Sequence, residues 1–166
     1  MLSESAIIAL GSNLGDSAQI LRDAMARLQE FSDLPLKKSS LWQTTPVDCP
    51  PGSPMFVNVV VALTPRAGET PESLHGKLQA LEKEFGRRPK KVLHEARPLD
   101  LDLIAFGPEI RATMQLTLPH PRAHERRFVL QPLSEIVPDL VLPGQSCSVS
   151  ELLSLLAPDA SIRRLA

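Results

Sequence analysis

Strict alternation of leucine and aspartate in Leu99-Asp100-Leu101-Asp102-Leu103 restricts this stretch to a β-strand with one buried face. Successive side chains on a strand point to opposite faces, so the leucines go to a core and the aspartates to the other side. Two positions apart on a strand, the carboxylates start about 6.6 Å from each other. From there they can lean together on hard divalent cations, and a shared cation removes their mutual repulsion. An acidic face of this kind also serves as the charged protection of a sheet edge. What the rest of the chain supplies separates the two readings.

The chain has 166 residues, 43% hydrophobic and 22% charged, the balance of one soluble globular domain over 1–166 with a real core. Sixteen prolines predict long, shaped loops between short elements. A net charge of −1 provides no global field for nucleic acid or an anionic membrane. Local charge is uneven. Lys83 to Arg97 holds six basic residues against two acidic ones, and Arg122, Arg126 and Arg127 cluster later, which suits a small polyanion. Cys49 and Cys147 lie far apart without metal-ligand spacing, so neither zinc nor a disulfide framework is indicated. The start lacks the basic and apolar segments of a signal peptide, and no long apolar run follows, so a cytoplasmic protein is expected.

Ala6–Leu10 reads as a short strand and Gly11 to Asp16 as a tight turn into a helix. Asp16 and Gln19 have capping-box spacing, and Leu21, Ala24, Met25 and Leu28 carry the helix to about Phe31. Leu36–Thr45 is a weaker strand bearing Trp42. Met55–Thr64 is a strong one, with Val57, Val59, Val61 and Leu63 on one face and Phe56, Asn58, Val60 and Ala62 on the other. Thr70 and Pro71 open a second helix that Leu74, Leu78, Leu81 and Phe85 follow and Gly86 ends. The order β-α-β-β-α-β predicts an α+β ferredoxin-like sandwich. From about Gly107 the chain reads as an extension of loops and short helices, with a capped tail from Ser148 to Leu156.

Each further candidate has a structural reading beside the functional one. Phe56 and Asn58 share a face, where an aromatic and an amide can hold a flat heterocycle or simply belong to the core. Arg87, Arg88 and Arg97 can fork onto phosphate oxygens or remain a solvated surface. His120 sits between two prolines, where it can donate to a phosphate. Together with the two aspartates, these residues suit magnesium-dependent transfer of a phosphorus group to a small planar acceptor.

Several blocks carry a family resemblance: Ala9 to Asp16, Phe56-Val57-Asn58, Gly86-Arg87, Arg97-Pro98-Leu99-Asp100-Leu101-Asp102, Leu118-Pro119-His120-Pro121-Arg122 and Glu125 to Leu133. In this order they resemble the 6-hydroxymethyl-7,8-dihydropterin pyrophosphokinase family of folate biosynthesis, from about Ile7 to Pro138. The resemblance implies a monomeric ferredoxin-like enzyme that moves the terminal diphosphate of ATP onto the pterin hydroxymethyl oxygen and releases AMP. By position, it implies that Asp100 and Asp102 hold two magnesium ions, with Arg87 and Arg97 completing the catalytic set from a mobile loop. It further implies an ATP site formed by Glu82, Arg87, Arg97, Thr117, His120 and Arg126, and a pterin pocket of Thr44, Val47, Phe56, Asn58 and Phe128. Asp48, Pro89 and His94 depart from the family pattern. The rival reading is a ferredoxin-like binding or regulatory module without chemistry; a pure binder has no need of two metal ligands. An RNA-binding domain would need exposed aromatics and a basic surface, and a chain with no tyrosine and a charge of −1 argues against it.

Overall fold

The computed structural model describes residues 5–44, 55–86, 98–159 and 161–165. Val47, Asp48, Arg87, Pro89, His94 and Arg97 lie outside the described residues. The main elements in chain order are β1 (Ala6–Ser12), α1 (Ser17–Gln29), β2 (Lys37–Lys38), β3 (Trp42–Thr44), β4 (Phe56–Leu63), α2 (Pro71–Glu84) and β5 (Asp100–Phe106). There follow a small hairpin of β6 (Arg111–Ala112) and β7 (Thr117–Leu118), α3 (Arg127–Ile136), α4 (Val149–Leu155) and β8 (Arg163–Arg164). One antiparallel sheet runs β5-β1-β4-β3-β8, and β2 also pairs with β4. No helix among the described residues is long and apolar enough to cross a membrane.

The alternation read from the sequence sorts the two faces. Ala6, Ile8 and Leu10 of β1, the odd-numbered residues of β4, and Leu99, Leu101 and Leu103 pack under α1 and α2. Leu21, Ala24, Met25 and Leu28 enter that core from α1, and Leu74, Leu78 and Leu81 from α2. Thr70 caps α2 in a full capping box, and Gly86 follows it at φ 92°, the left-handed turn expected of a terminating glycine. On the opposite face, Ile7, Val60, Ala62, Ile104 and Ala105 form a second core with Val129, Leu130 and Leu133 of α3 and Val149 and Leu152 of α4. A register shift between Ile7 and Ile8 puts both Ile104 and Ala105 on that side. The second core covers only one end of the face. The other end carries Gly11, Phe56, Asn58, Asp100 and Asp102.

Several expectations need correction. β1 continues through Gly11 and Ser12, so Gly11 belongs to the strand and the turn occupies Asn13 to Asp16. Asp16 does accept the Gln19 backbone N–H at 3.3 Å, but the Gln19 amide donates to Asp23 at 2.9 Å, so that capping box is half made. α1 ends at Gln29, two residues before Phe31. The single strand expected over Leu36–Thr45 is two pieces. From the Ser39–Val60 pair to the Trp42–Asn58 pair, the outer chain takes three steps and β4 takes two, so one extra residue bulges at Ser40–Leu41. The extension is more regular than expected, with the ten-residue α3, the β6–β7 hairpin and β8 on the edge of the sheet.

Candidate active site

Strand register assembles the site. Gly11 on β1 pairs with Asp100 of β5 on one side and Asn58 of β4 on the other, and Asn58 pairs in turn with Trp42 of β3. The row Asp100–Gly11–Asn58–Trp42 therefore lies across one end of the sheet face. Two strand spacings separate Asp100 from Asn58, about 9.6 Å. One row along, Asp102 pairs with Ala9. Both aspartates are half-buried and face the same way, as the alternation requires. Among the described residues, no group of three or more His, Cys, Asp or Glu side chains converges as a metal cage. Two carboxylates on one face still fit magnesium, which keeps several waters and is commonly held by one or two carboxylates plus substrate phosphates.

Beside the edge strand β5 lies an open cleft of about 260 Å³, whose walls include Asp102, Thr117 and His120. His120 is fixed at both ends: its N–H donates to the Ile104 carbonyl at 2.8 Å, and its Nδ1 accepts the Arg122 N–H at 3.2 Å. Nδ1 is thus an acceptor, so in the neutral ring the proton sits on Nε2. Burial, and then the positive charge of Arg126, push the His120 pKa below its ordinary value, against the pull of Asp100. Neutral His120 can donate that Nε2 hydrogen without carrying charge. Glu82 reaches across from α2 and accepts the outward N–H of Leu101 at 2.8 Å. That contact sets its carboxylate against the strand that carries the aspartates, but Glu82 is not one of the residues that line the cleft.

The planar-acceptor side is organised by a buried hydrogen bond from Asn58 Nδ2 to Thr44 Oγ1 at 2.9 Å. Thr44 pairs with Phe56 in the ladder, so Thr44, Phe56 and Asn58 form one cluster. Gly11 is part of it: a Cβ there would stand 3.1 Å from Asn58 Oδ1 and 3.8 Å from the Phe56 ring. Arg126 and Phe128 form a separate pair at the start of α3, with the guanidinium 5.4 Å from the ring centroid. The structure thus groups Asp102, Thr117 and His120 in the cleft and Thr44, Phe56 and Asn58 on the sheet, with Asp100 between them.

Sequence reasoning missed three contributors. His75, on α2, lines the cleft together with Gln115 of the β6–β7 hairpin. His75 lies seven residues before Glu82, on the same helix face, and that spacing was a usable signal. The spacer role of Gly11 follows from its two cross-strand partners and has no local signature.

A family model described as 7,8-dihydro-6-hydroxymethylpterin-pyrophosphokinase (HPPK) matches residues 7–138. The 2-amino-4-hydroxy-6-hydroxymethyldihydropteridine pyrophosphokinase of Haemophilus influenzae is 36% identical over 160 residues, which cover 96% of this chain and 97% of that protein. The enzyme of the same name from Bacillus subtilis is 39% identical over 136 residues, 81% of this chain and 79% of that protein. A folic acid synthesis protein of Pneumocystis carinii is 37% identical over 89% of this chain, but the match spans only 20% of that longer protein. Among solved structures, a Plasmodium falciparum HPPK-DHPS with pterin and p-hydrobenzoate superposes with a TM-score of 0.74 at 13% identity. It covers 96% of this chain and 44% of that one, a likeness of fold. The chain belongs to the 7,8-dihydro-6-hydroxymethylpterin-pyrophosphokinase family of folate synthesis.

Proposed function

We propose that this chain transfers the terminal diphosphate of ATP to the hydroxymethyl oxygen of 6-hydroxymethyl-7,8-dihydropterin and releases AMP. The observation that carries the reading is the row Asp100–Gly11–Asn58, which sets an acidic strand and an aromatic–amide cluster side by side on one sheet face. The strand order β5-β1-β4-β3, with α1 and α2 on one face, supports a ferredoxin-like core. That the chain is a single pyrophosphokinase domain acting as a monomer is part of the same proposal.

In this reaction a bond forms between the pterin hydroxyl oxygen and the β-phosphorus of ATP. The bond from that phosphorus to the oxygen bridging it to the α-phosphorus breaks, and the hydroxyl proton is lost. Asp100 and Asp102 would hold two magnesium ions, which when bound neutralise the phosphate oxygens and the charge that builds on the leaving AMP. Neutral His120 donates from Nε2 to a phosphate oxygen in the cleft, with Thr117 beside it and Arg126 near. Arg87 and Arg97 match family positions that add positive charge to the polyphosphate. Thr44 holds the Asn58 amide for the pterin edge, while Phe56, Phe128 and Val47 supply its apolar contacts. Such catalysis consists of positioning and electrostatic stabilisation, and no residue is assigned as a general base.

The test is phosphorus NMR of the protein with ATP, magnesium and the pterin. Formation of AMP one-for-one with a pterin diphosphate is the expected result. Release of ADP, or no turnover by folded protein, would overturn the assignment; the second outcome favours the binding-module alternative. Asp102→Ala should lower turnover on the order of a hundredfold or more, as loss of a transition-state electrostatic group does, without changing the melting temperature by more than a few degrees.

A further inference from the structure

We propose that Glu135 is a positioning residue for the planar-acceptor pocket, an inference that rests on the diphosphotransferase reading. Glu135 lies near the end of α3, and its carboxylate accepts three hydrogen bonds from the chain around β3. Oε1 receives the Ser40 backbone N–H at 3.0 Å and the Trp42 indole N–H at 2.8 Å, and Oε2 receives the Ser40 hydroxyl at 2.8 Å. The first of these has a clear physical origin. Ser40 sits in the bulge between β2 and β3, where an extra residue loses its ladder partner, and Glu135 supplies the missing acceptor.

The consequence reaches the site by two short paths. Trp42 is the cross-strand partner of Asn58, and Thr44, two residues on, holds the Asn58 amide. Glu135 is seven residues from Phe128, so the two share a face of α3 about 10.5 Å apart along its axis. In the proposed pocket the floor is on β3 and β4 and Phe128 of α3 is a wall, and the Glu135 contacts join these separate elements. The apolar residues Val129, Leu130 and Leu133 bury α3, but hydrophobic contact is non-directional and leaves axial shift and rotation loosely set. Three hydrogen bonds to one carboxylate set both, and they hold Phe128 at a fixed height over the sheet.

The experiment reads pterin and nucleotide separately in the full chain and uses Trp42, the sole tryptophan, as a reporter of the contact itself. Glu135→Ala should shift the Trp42 emission of the ligand-free protein. It should raise the pterin KM about tenfold, the size of one lost hydrogen bond to a charged group, and change the ATP KM less than twofold. Glu135→Gln should recover most of the pterin KM. Its carbonyl can take both N–H groups, and its amide can donate to the Ser40 hydroxyl, which turns to accept. Trp42→Phe keeps an aromatic ring and removes one donor, so it should give a smaller rise in pterin KM, and it serves if Glu135→Ala fails to fold. Unchanged emission, an unchanged pterin KM, or an equal rise for both substrates would overturn the positioning role. Failure of the wild-type protein to turn over the pterin would overturn the enzymatic reading, a result distinct from any of these.

Discussion

Gly11 occupies the point where the two halves of the site meet, and what matters there is space. Its φ is not left-handed, but a methyl group would come within 3.1 Å of Asn58 Oδ1, tighter than most real contacts. Asn58 cannot yield freely because its nitrogen is bound to Thr44 in a buried setting. Gly11→Ala should therefore displace the amide. We expect a stability loss of about 1–3 kcal/mol, typical of an overpacked core position. The pterin KM should rise several-fold with little change for ATP, checked by thermal melts and steady-state kinetics. Local sequence presents Gly11 as a turn glycine, because a glycine next to serine and asparagine carries turn chemistry. Its function depends on Asp100 and Asn58, neither of them near it in the chain.

Among the elements, α2 was readable down to its ends and β5 as a strand, because their information is local: a threonine cap and terminal glycine for one, strict alternation over Leu99 to Leu103 for the other. α3 and the β2–β3 pair were not. α3 contains Pro132, which interrupts a helical pattern, and its amphipathic face makes sense only once the second core exists. The bulge at Ser40 is stabilised by Glu135, 95 residues away in the chain, and no window of sequence contains both. The burial of α3 also gives a stability prediction. Leu133 is 0% exposed between the helix and the sheet, so Leu133→Ala should cost about 2–5 kcal/mol through lost burial and the cavity left behind. Urea unfolding measures that loss. Within the site, the two aspartates, Phe56, Asn58 and His120 were legible as residues. Their grouping into a cleft and a sheet-face cluster required the strand order.

At the scale of the whole molecule, titration couples the site to acid stability. The folded state holds the His120 pKa down, so the unfolded chain takes up a proton first as pH falls. Stability from this group is complete above the ordinary imidazole pKa of about 6.5 and declines below it. Glu72 beside Arg111, Glu84 beside Arg27, and Glu151 at its backbone cap have lowered pKa values, so their contributions persist above the ordinary carboxylate range and fade below it. The melting temperature should hold level from pH 8 to 7, then fall in two stages, beginning near pH 6.5 and again below about pH 4.5. His120→Gln should remove the first stage, and calorimetry across pH checks this. Glu82 carries a different consequence for the molecule as a whole. The strand bearing the two aspartates ends the sheet, and a strand in that position offers its outward N–H groups to any extended segment it meets. The Glu82 carboxylate already occupies the N–H of Leu101, so an incoming backbone carbonyl would find that donor taken. At Leu101 that margin is therefore a poor template for an added strand, beside the cleft that Asp102, Thr117 and His120 line.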